Sequence, residues 1–219
     1  MSVLALRFEG PMQSWGSSSK FQERDTAREP TKSGVIGLIC SALGRARDLP
    51  VDDLASLNMA VRVDREGRVM KDFQTIQNVV RACGNSNEPT VISNRYYLSD
   101  ACFVVLLEGD VEVLTNARDA LNKPVWSLFL GRKSYVPSSS ITLVDGIVQG
   151  DISHAVRIIP FQGRDKDERG PIRIVKETSP GKGEAVMDVP LSFSERTFGT
   201  RYVITEWLDG TILPTKEVD

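Results

Sequence analysis

Hydrophobic and polar positions recur with two different periods along this chain, and the periods mark out its elements. Residues 2–8 (SVLALRF) set Leu4, Leu6 and Phe8 on one side and Val3, Ala5 and Arg7 on the other, a strand that Gly10-Pro11 stops. From Gln13 to Pro30 (QSWGSSSKFQERDTAREP) neither period holds, which predicts a long ordered loop. Such a loop is uncommon in a compact domain and usually functional. Pro30-Thr31 then opens a helix. Val35, Ile36, Leu38, Ile39, Ala42 and Leu43 fall at helical spacing, with Gly44 near its end and Arg45 and Arg47 beside the carboxyl terminus. Residues 59–64 (MAVRVD) read as a second strand, Glu66-Gly67 as a turn, and 68–73 (RVMKDF) as the hairpin partner.

The stretch 76–94 has little apolar periodicity and carries Gly84, nearby asparagines and Pro89, although 91–98 (VISNRYYL) suits an extended chain. Residues 101–107 (ACFVVLL) form a firmly apolar run of strand length. Together, 68–107 read as two strands whose connection is drawn out into a projection. A helix follows at about 110–122, with Val113, Ala117, Ala120 and Leu121 on one face, and 125–130 (VWSLFL) reads as a strand ending at Gly131. Strand, helix, strand, strand, helix, strand is the ferredoxin-like or RRM-type order, an antiparallel sheet with two helices. The expectation is thus an α+β domain over 1–150. Short β segments at 154–160, 171–177, 184–191 and 201–207, parted by turns such as GRDKDERGP (163–171) and SPGKGE (179–184), suggest a small all-β C-terminal extension over 151–219.

Composition narrows the function classes. The 219 residues are 41% hydrophobic and 26% charged, an ordinary globular balance with ample material for a core. A net charge of −2 argues against a free-standing nucleic-acid binder, which is usually basic. The apolar run in residues 1–10 is too short for a signal-peptide core, and no stretch approaches the ~20 apolar residues of a membrane span. A cytoplasmic protein without membrane attachment is expected. Cys40, Cys83 and Cys102 are odd in number and lack CxxC spacing, which speaks against disulfides or zinc. His154 is the sole histidine. No cofactor or metal is expected.

Three constellations carry candidate chemistry. PTKSG (30–34) brings a phosphate loop to mind, but no glycine precedes Lys32 and Thr26 stands where the first would be. Two readings survive: Lys32, Ser33 and free amides seating a phosphate at a helix amino terminus, or an ordinary capped helix start. Arg24, Thr26, Arg28 and Lys32, with Gln13 and Trp15 upstream, suit the backbone and bases of single-stranded RNA. Interleaved Glu23, Asp25 and Glu29 equally suit a solvated, salt-bridged loop, and Trp15 suits a core anchor. GRKS (131–134) offers Arg132 and Lys133 as phosphate contacts or as a plain strand end. For catalysis, His154 is alone, and the spacing of Tyr96, Tyr97 and Tyr135 suggests no base.

At GPMQSWG (10–16) followed by PTKSGVIGLICSALG (30–44), the chain resembles the CRISPR-associated Cas-five family, and more narrowly its type I-E branch. KDFQTIQ (71–77), YYLSDACFVVLL (96–107), NKPVWSLFLGRKS (122–134) and VPLSFSERTFGTRYVI (189–204) extend the likeness, in the same order, over nearly the whole chain. The resemblance implies an RRM-type fold with a thumb-like hairpin at about 74–97. It also implies a non-catalytic subunit of the Cascade surveillance complex that caps the 5′ handle of CRISPR RNA in antiviral defence. The implied partners are that handle, the CasC backbone filament, the large CasA subunit, other Cascade subunits and, indirectly, target DNA. Carried onto this chain, handle contacts are expected from Gln13, Trp15, Arg24, Arg28, Lys32 and Ser33. Lys71, Gln74 and Arg95 at the thumb base, and Arg132 and Lys133, complete the set. Two alternatives stand beside this reading. One is an endoribonuclease, since the family's type I-C branch processes precursor RNA; the other is a protein-bridging scaffold without RNA contacts.

Overall fold

The computed structural model describes residues 1–16, 23–77, 90–164 and 169–215. Its elements run β1 (Ser2–Glu9), β2 (Met12–Gln13), β3 (Glu23–Arg24), α1 (Lys32–Leu43), α2 (Asp52–Ala55), β4 (Asn58–Arg65), β5 (Arg68–Gln77), β6 (Thr90–Ser99) and β7 (Cys102–Gly109). They continue with α3 (Val111–Asn122), β8 (Thr142–Gln149), α4 (Ile152–Ile158), β9 (Pro171–Thr178), β10 (Glu184–Ser192) and β11 (Thr197–Asp209). Seven strands form one sheet in the order β10-β11-β9-β4-β7-β1-β8, each neighbouring pair antiparallel. A smaller sheet sets β6 between β2 and β3, with β5 also on β6. The architecture is mainly antiparallel sheet with few helices.

The large sheet is buried on both faces, which is why β1 is apolar at nearly every position rather than at alternate ones. Leu4, Leu6 and Phe8 pack into a core under α1 and α3. Val3 and Ala5 face a second core completed by Ile152, Ala155 and Val156 of α4 and by Ile172, Ile174 and Leu208. In β4 the wholly buried Arg62 pairs with Asp64 at 2.7 Å and donates to the carbonyls of Val156, Ile159 and Pro160 at 2.7–2.8 Å. A strand residue thereby satisfies the open carbonyls at the end of α4.

Several elements follow the sequence pattern and others differ. The helix at Pro30-Thr31 is α1: Thr31 Oγ1 accepts from Gly34 N, and Gly44 closes it at φ +67°. Residues 68–73 belong to β5, but they do not pair with β4, because β7 and β9 already fill both edges of β4. The chain turns away at Gly67 (φ +72°), where a Cβ would come within 2.6 Å of Ser99 O, and β5 forms a long ladder with β6 from Arg68↔Ser99 to Gln77↔Thr90. Among the described residues, 68–77 and 90–107 therefore hold three strands, not two.

The stretch 125–130 is not a strand either. Val125 and Trp126 donate to the carbonyls of Ala42 and Ser41, so they finish α1 rather than join a sheet, and the next strand is β8. Residues 154–160, expected as β, lie mostly in α4. Ile152, Ala155, Val156 and Ile159 recur at helical spacing, and Asp151 caps it by accepting from His154 N at 2.8 Å. The division expected between 150 and 151 falls between β8 and α4, and β9 crosses it to pair with β4. Residues 78–89, most of the expected projection, lie outside the described residues, as do 17–22 of the long loop. Among the described residues no helix is long and apolar enough to cross a membrane.

Candidate nucleic-acid interface

Segments far apart in sequence meet at one junction beside the amino end of α1. Ser14 N donates to Leu130 O at 3.1 Å, and Ser14 Oγ donates to Tyr96 O at 3.2 Å. Trp15 N donates to Thr26 Oγ1 at 2.9 Å, while Ala27 N donates to Trp15 O at 2.7 Å. The Trp15 ring stacks on Phe8, with centroids 5.4 Å apart and planes 14° apart. Gly34 also lies against the ring, and a Cβ there would sit 2.9 Å from Trp15 Cε3. The glycine of PTKSG is thus required by the tryptophan of GPMQSWG, not by a phosphate. The same holds for GRKS: Gly131 has φ +90°, and a Cβ there would fall 1.7 Å from Ser14 O.

The expected contact residues fall into three groups at this junction. Gln13, Trp15 and Lys32 are buried and committed to the fold. Gln13 Nε2 donates to Phe8 O and Ala101 O at 3.0 and 2.9 Å, and its side chain shows no surface to a ligand. Lys32 Nζ pairs with Glu177 at 3.0 Å with 4% of its side chain exposed. The phosphate seat imagined at the start of α1 is also filled, because Lys32 N donates to Asp188 Oδ2 at 2.8 Å. An internal carboxylate therefore occupies the positive end of the helix. Asp188 is gripped in turn by Arg201 through two bonds of 2.6 and 2.8 Å. Burial works against the Arg201 charge, yet Asp188 and Glu177 hold its guanidinium above the usual value.

A second group acts as a clamp. Arg132 donates to Tyr96 O at 3.0 Å, Arg24 O at 3.3 Å and the Tyr135 hydroxyl at 2.9 Å, with its Cζ 5.4 Å from the Tyr135 ring centroid. Three of its five N–H donors join segments, and the neighbouring Lys133 is the more open of the two cations. Gln74 donates to Asp72, and Arg95 Nε donates to Ser93 Oγ at 3.3 Å, leaving both half-buried.

The third group is open. Arg24, Arg28, Lys71 and Lys133 are exposed and make no ion pair among the described residues, and Ser33 is half-buried at the start of α1. Pairing of β3 with β6 sets Arg24 beside Arg95, while the clamp of Arg132 on Arg24 O brings Lys133 to the same region. Lys71 projects to the opposite face of the small sheet from Arg95, since its cross-strand partner is Tyr96. What the arrangement offers chemically is a rigid, hydrogen-bonded platform edged with free cations, suited to phosphates. Of the residues weighed for catalysis, Tyr135 is buried under Arg132, and His154 lies on α4, across the sheet from α1. Among the described residues no three His, Cys, Asp or Glu side chains are grouped to hold a metal.

A groove of about 850 Å³ runs over the outer face of α1, and sequence reasoning did not find it. Ser33, Gly34, Gly37 and Ser41 make its floor; the segment Trp126–Lys133 is one wall and the β10–β11 turn, with Phe193, Arg196 and Phe198, the other. Ser194 N donates to Arg47 O at 3.1 Å and ties that second wall to the helix end. The small residues of α1, spaced along one face, were the only signal of it in the sequence.

The family described as "CRISPR-associated protein (Cas_Cas5)" matches residues 3–204. The Escherichia coli (strain K12) protein "CRISPR system Cascade subunit CasD" is 34% identical over 148 residues, 61% of this chain and 66% of that protein, just under two thirds of its length. The solved structure "Crystal structure of Cas protein" is 39% identical with a TM-score of 0.80, covering 98% of each chain. A chain of "CRISPR RNA-guided surveillance complex" is 34% identical with a TM-score of 0.81, covering 96% of this chain and 92% of that one.

Proposed function

Because the chain belongs to the CRISPR-associated protein (Cas_Cas5) family, we propose that it is a Cascade subunit serving antiviral defence, one that binds and caps the 5′ handle of CRISPR RNA without cleaving it. The observation that carries this reading is the junction at Ser14, Trp15, Gly34, Tyr96 and Gly131, which locks the motif segments together and leaves Arg24, Arg28, Lys133 and Ser33 around it. Such fixed cations position an RNA backbone at a small entropic cost. The net charge of −2 is consistent with this role, since a subunit gripping a few nucleotides devotes most of its surface to protein partners. Likeness to an E. coli Cascade subunit supports the assembly partners expected above: the CasC backbone, the CasA large subunit and further Cascade subunits, with target DNA reached indirectly. The order β4-β7-β1-β8, with α1 after β1 and α3 after β7, supports a ferredoxin-like core, and the long β5–β6 ladder supports a thumb at about 74–97.

The test is a pair of assays on repeat-containing RNA. Crosslinking and nuclease footprinting of the co-assembled complex should show the handle protected by this subunit, and the chain alone should leave the RNA intact with or without chelator. Charge reversal at Arg28 and Lys133 should weaken handle protection. An unprotected handle, or cleavage by the lone chain, overturns the reading.

A further inference from the structure

We propose that the groove over α1 is a seat for unstacked bases of single-stranded RNA, in which aromatic rings from its two walls sandwich nucleobases and the rim cations hold the adjoining phosphates. The proposal rests on the RNA-binding reading above and extends it along α1 from the motif junction, with which the groove shares Ser33, Gly34, Gly131 and Lys133. Three observations carry it. Trp126 on one wall is 49% exposed, and Phe198 on the other is 36% exposed, with Phe193 beside it. An exposed tryptophan and phenylalanines lining one groove are costly in water, but they are what a stacking platform needs.

Charge is the second. The chain is acidic overall, yet no residue lining the groove is acidic, and Arg47, Lys133 and Arg196 on its rim make no ion pair among the described residues. Arg45 is different, being turned to Asp53 through two bonds of 2.5 and 2.7 Å. An apolar peptide would use the rings and leave three cations idle; a nucleotide strand uses both.

The third is the floor. Gly37 lies inside α1, where glycine is a poor helix former, and a Cβ there would meet only the Phe193 ring, at an ordinary 3.6 and 3.9 Å. Packing within the protein does not require this glycine, in contrast to Gly34 and Gly131. Glycine is the residue that lets a ligand approach backbone closely. The volume, about 850 Å³, lies within the roughly 300–1,000 Å³ typical of small-ligand sites.

The experiment titrates the full chain with an oligoadenylate of about eight nucleotides, within the site sizes of single-strand binders, and with the same strand made abasic and as a duplex. Trp126→Ala and Phe198→Ala should each weaken the oligoadenylate about tenfold, since stacking on one ring accounts for that much, while leaving the abasic strand unaffected. Arg47→Gln with Arg196→Gln should weaken both strands and lower the salt slope by about 1.4, at about 0.7 for each phosphate no longer neutralised. Gly37→Leu, which fills the floor from a surface position, should block the oligoadenylate while thermal unfolding reports a retained fold. Equal binding of base-bearing and abasic strands, or of duplex, by the wild type overturns the proposal, as does wild-type affinity in folded Gly37→Leu. Footprinting of the assembled complex separates the two readings. A protected handle with unaffected groove variants sinks the groove alone, whereas an unprotected handle with weakened groove variants sinks the handle reading alone.

Discussion

Gly131 and Gly34 look like the glycines of a phosphate-binding motif, and both are instead explained by neighbours within the fold. At Gly131 an alanine would have to adopt φ +90° with its Cβ 1.7 Å from Ser14 O. Gly131→Ala should cost about 3 kcal/mol or more, seen as a lower denaturant midpoint at unchanged slope. Lys32, a phosphate ligand by its motif, meets Glu177 instead. Lys32→Met strands that carboxylate only in part, because Glu177 also accepts from Met59 N and Arg201, so the loss should be about 2–3 kcal/mol. Adding Glu177→Gln should recover part of it, and a double-mutant cycle measures the coupling. One pH effect belongs here too. The Arg45 guanidinium donates to Asp53 and holds its carboxyl below the usual aspartate range. A depressed value gives stability that is present above the unfolded value of about pH 4 and lost as pH falls through the folded one. The pair is partly exposed, so the effect is under about 1 kcal/mol, and Asp53→Asn should reduce the stability lost on acidification by that amount, read from denaturant unfolding at pH 7 and pH 3.

At the scale of elements, the β5–β6 hairpin stands out. Val69, Phe73 and Ile92, 52%, 59% and 46% exposed, lie on one face of the ladder, and β5 has no partner other than β6 among the described residues. Exposed apolar rows of this kind usually meet another chain. Replacing residues 76–91 by Asn-Gly leaves Thr75 opposite Ile92 across a two-residue turn, a register such turns favour. The shortened chain should keep its circular dichroism and its Tm to within a few degrees, while failing to enter a co-expressed Cascade assembly. Normal incorporation would remove the thumb from the proposed function. The helices show how far periodicity reaches. α1 and α3 are plain in the spacing of their apolar residues, and α4 is as well, once Ile152 and Ile159 are counted with Ala155 and Val156. VWSLFL has the composition of a strand, but Val125 and Trp126 find hydrogen-bond partners in the open carbonyls of α1. Nothing local to that segment indicates where those carbonyls are.

The molecule as a whole is tied together by its last third. β9 covers the outer edge of β4; Ile172, Ile174, Leu208 and Leu213 close the second core; and Asp188 with Glu177 seats the start of α1. A fragment of residues 1–150 would expose that sheet edge and leave Lys32 and the wholly buried Arg62–Asp64 pair without their surroundings. It should therefore lack a cooperative unfolding transition and dispersed amide resonances. A stably folded fragment would show that the C-terminal strands are dispensable for the fold.

Sequence alone determined the segments whose own side-chain period or caps identify them, however distant their partners: β1, α1 with its Thr31 and Gly44 caps, β4, β6, β7, α3 and the three late strands. Side-chain period and capping are local properties, so they can be read without coordinates. The resemblance to the family was legible for a related reason, since short motifs such as GPMQSWG and PTKSG are contiguous. Tertiary structure alone decided what those motifs are for. Whether Lys32 faces solvent or Glu177, 145 residues away, depends on packing that no local pattern encodes. The same is true of the groove, whose rings come from residues near 126 and near 198 and share one cleft in a fold that ties the β10–β11 turn to the end of α1. Burial and charge pairing are properties of the assembled surface, and they assigned Gln13, Trp15, Lys32 and Arg132 to the fold while leaving Arg24, Arg28, Lys71 and Lys133 free to act outside it.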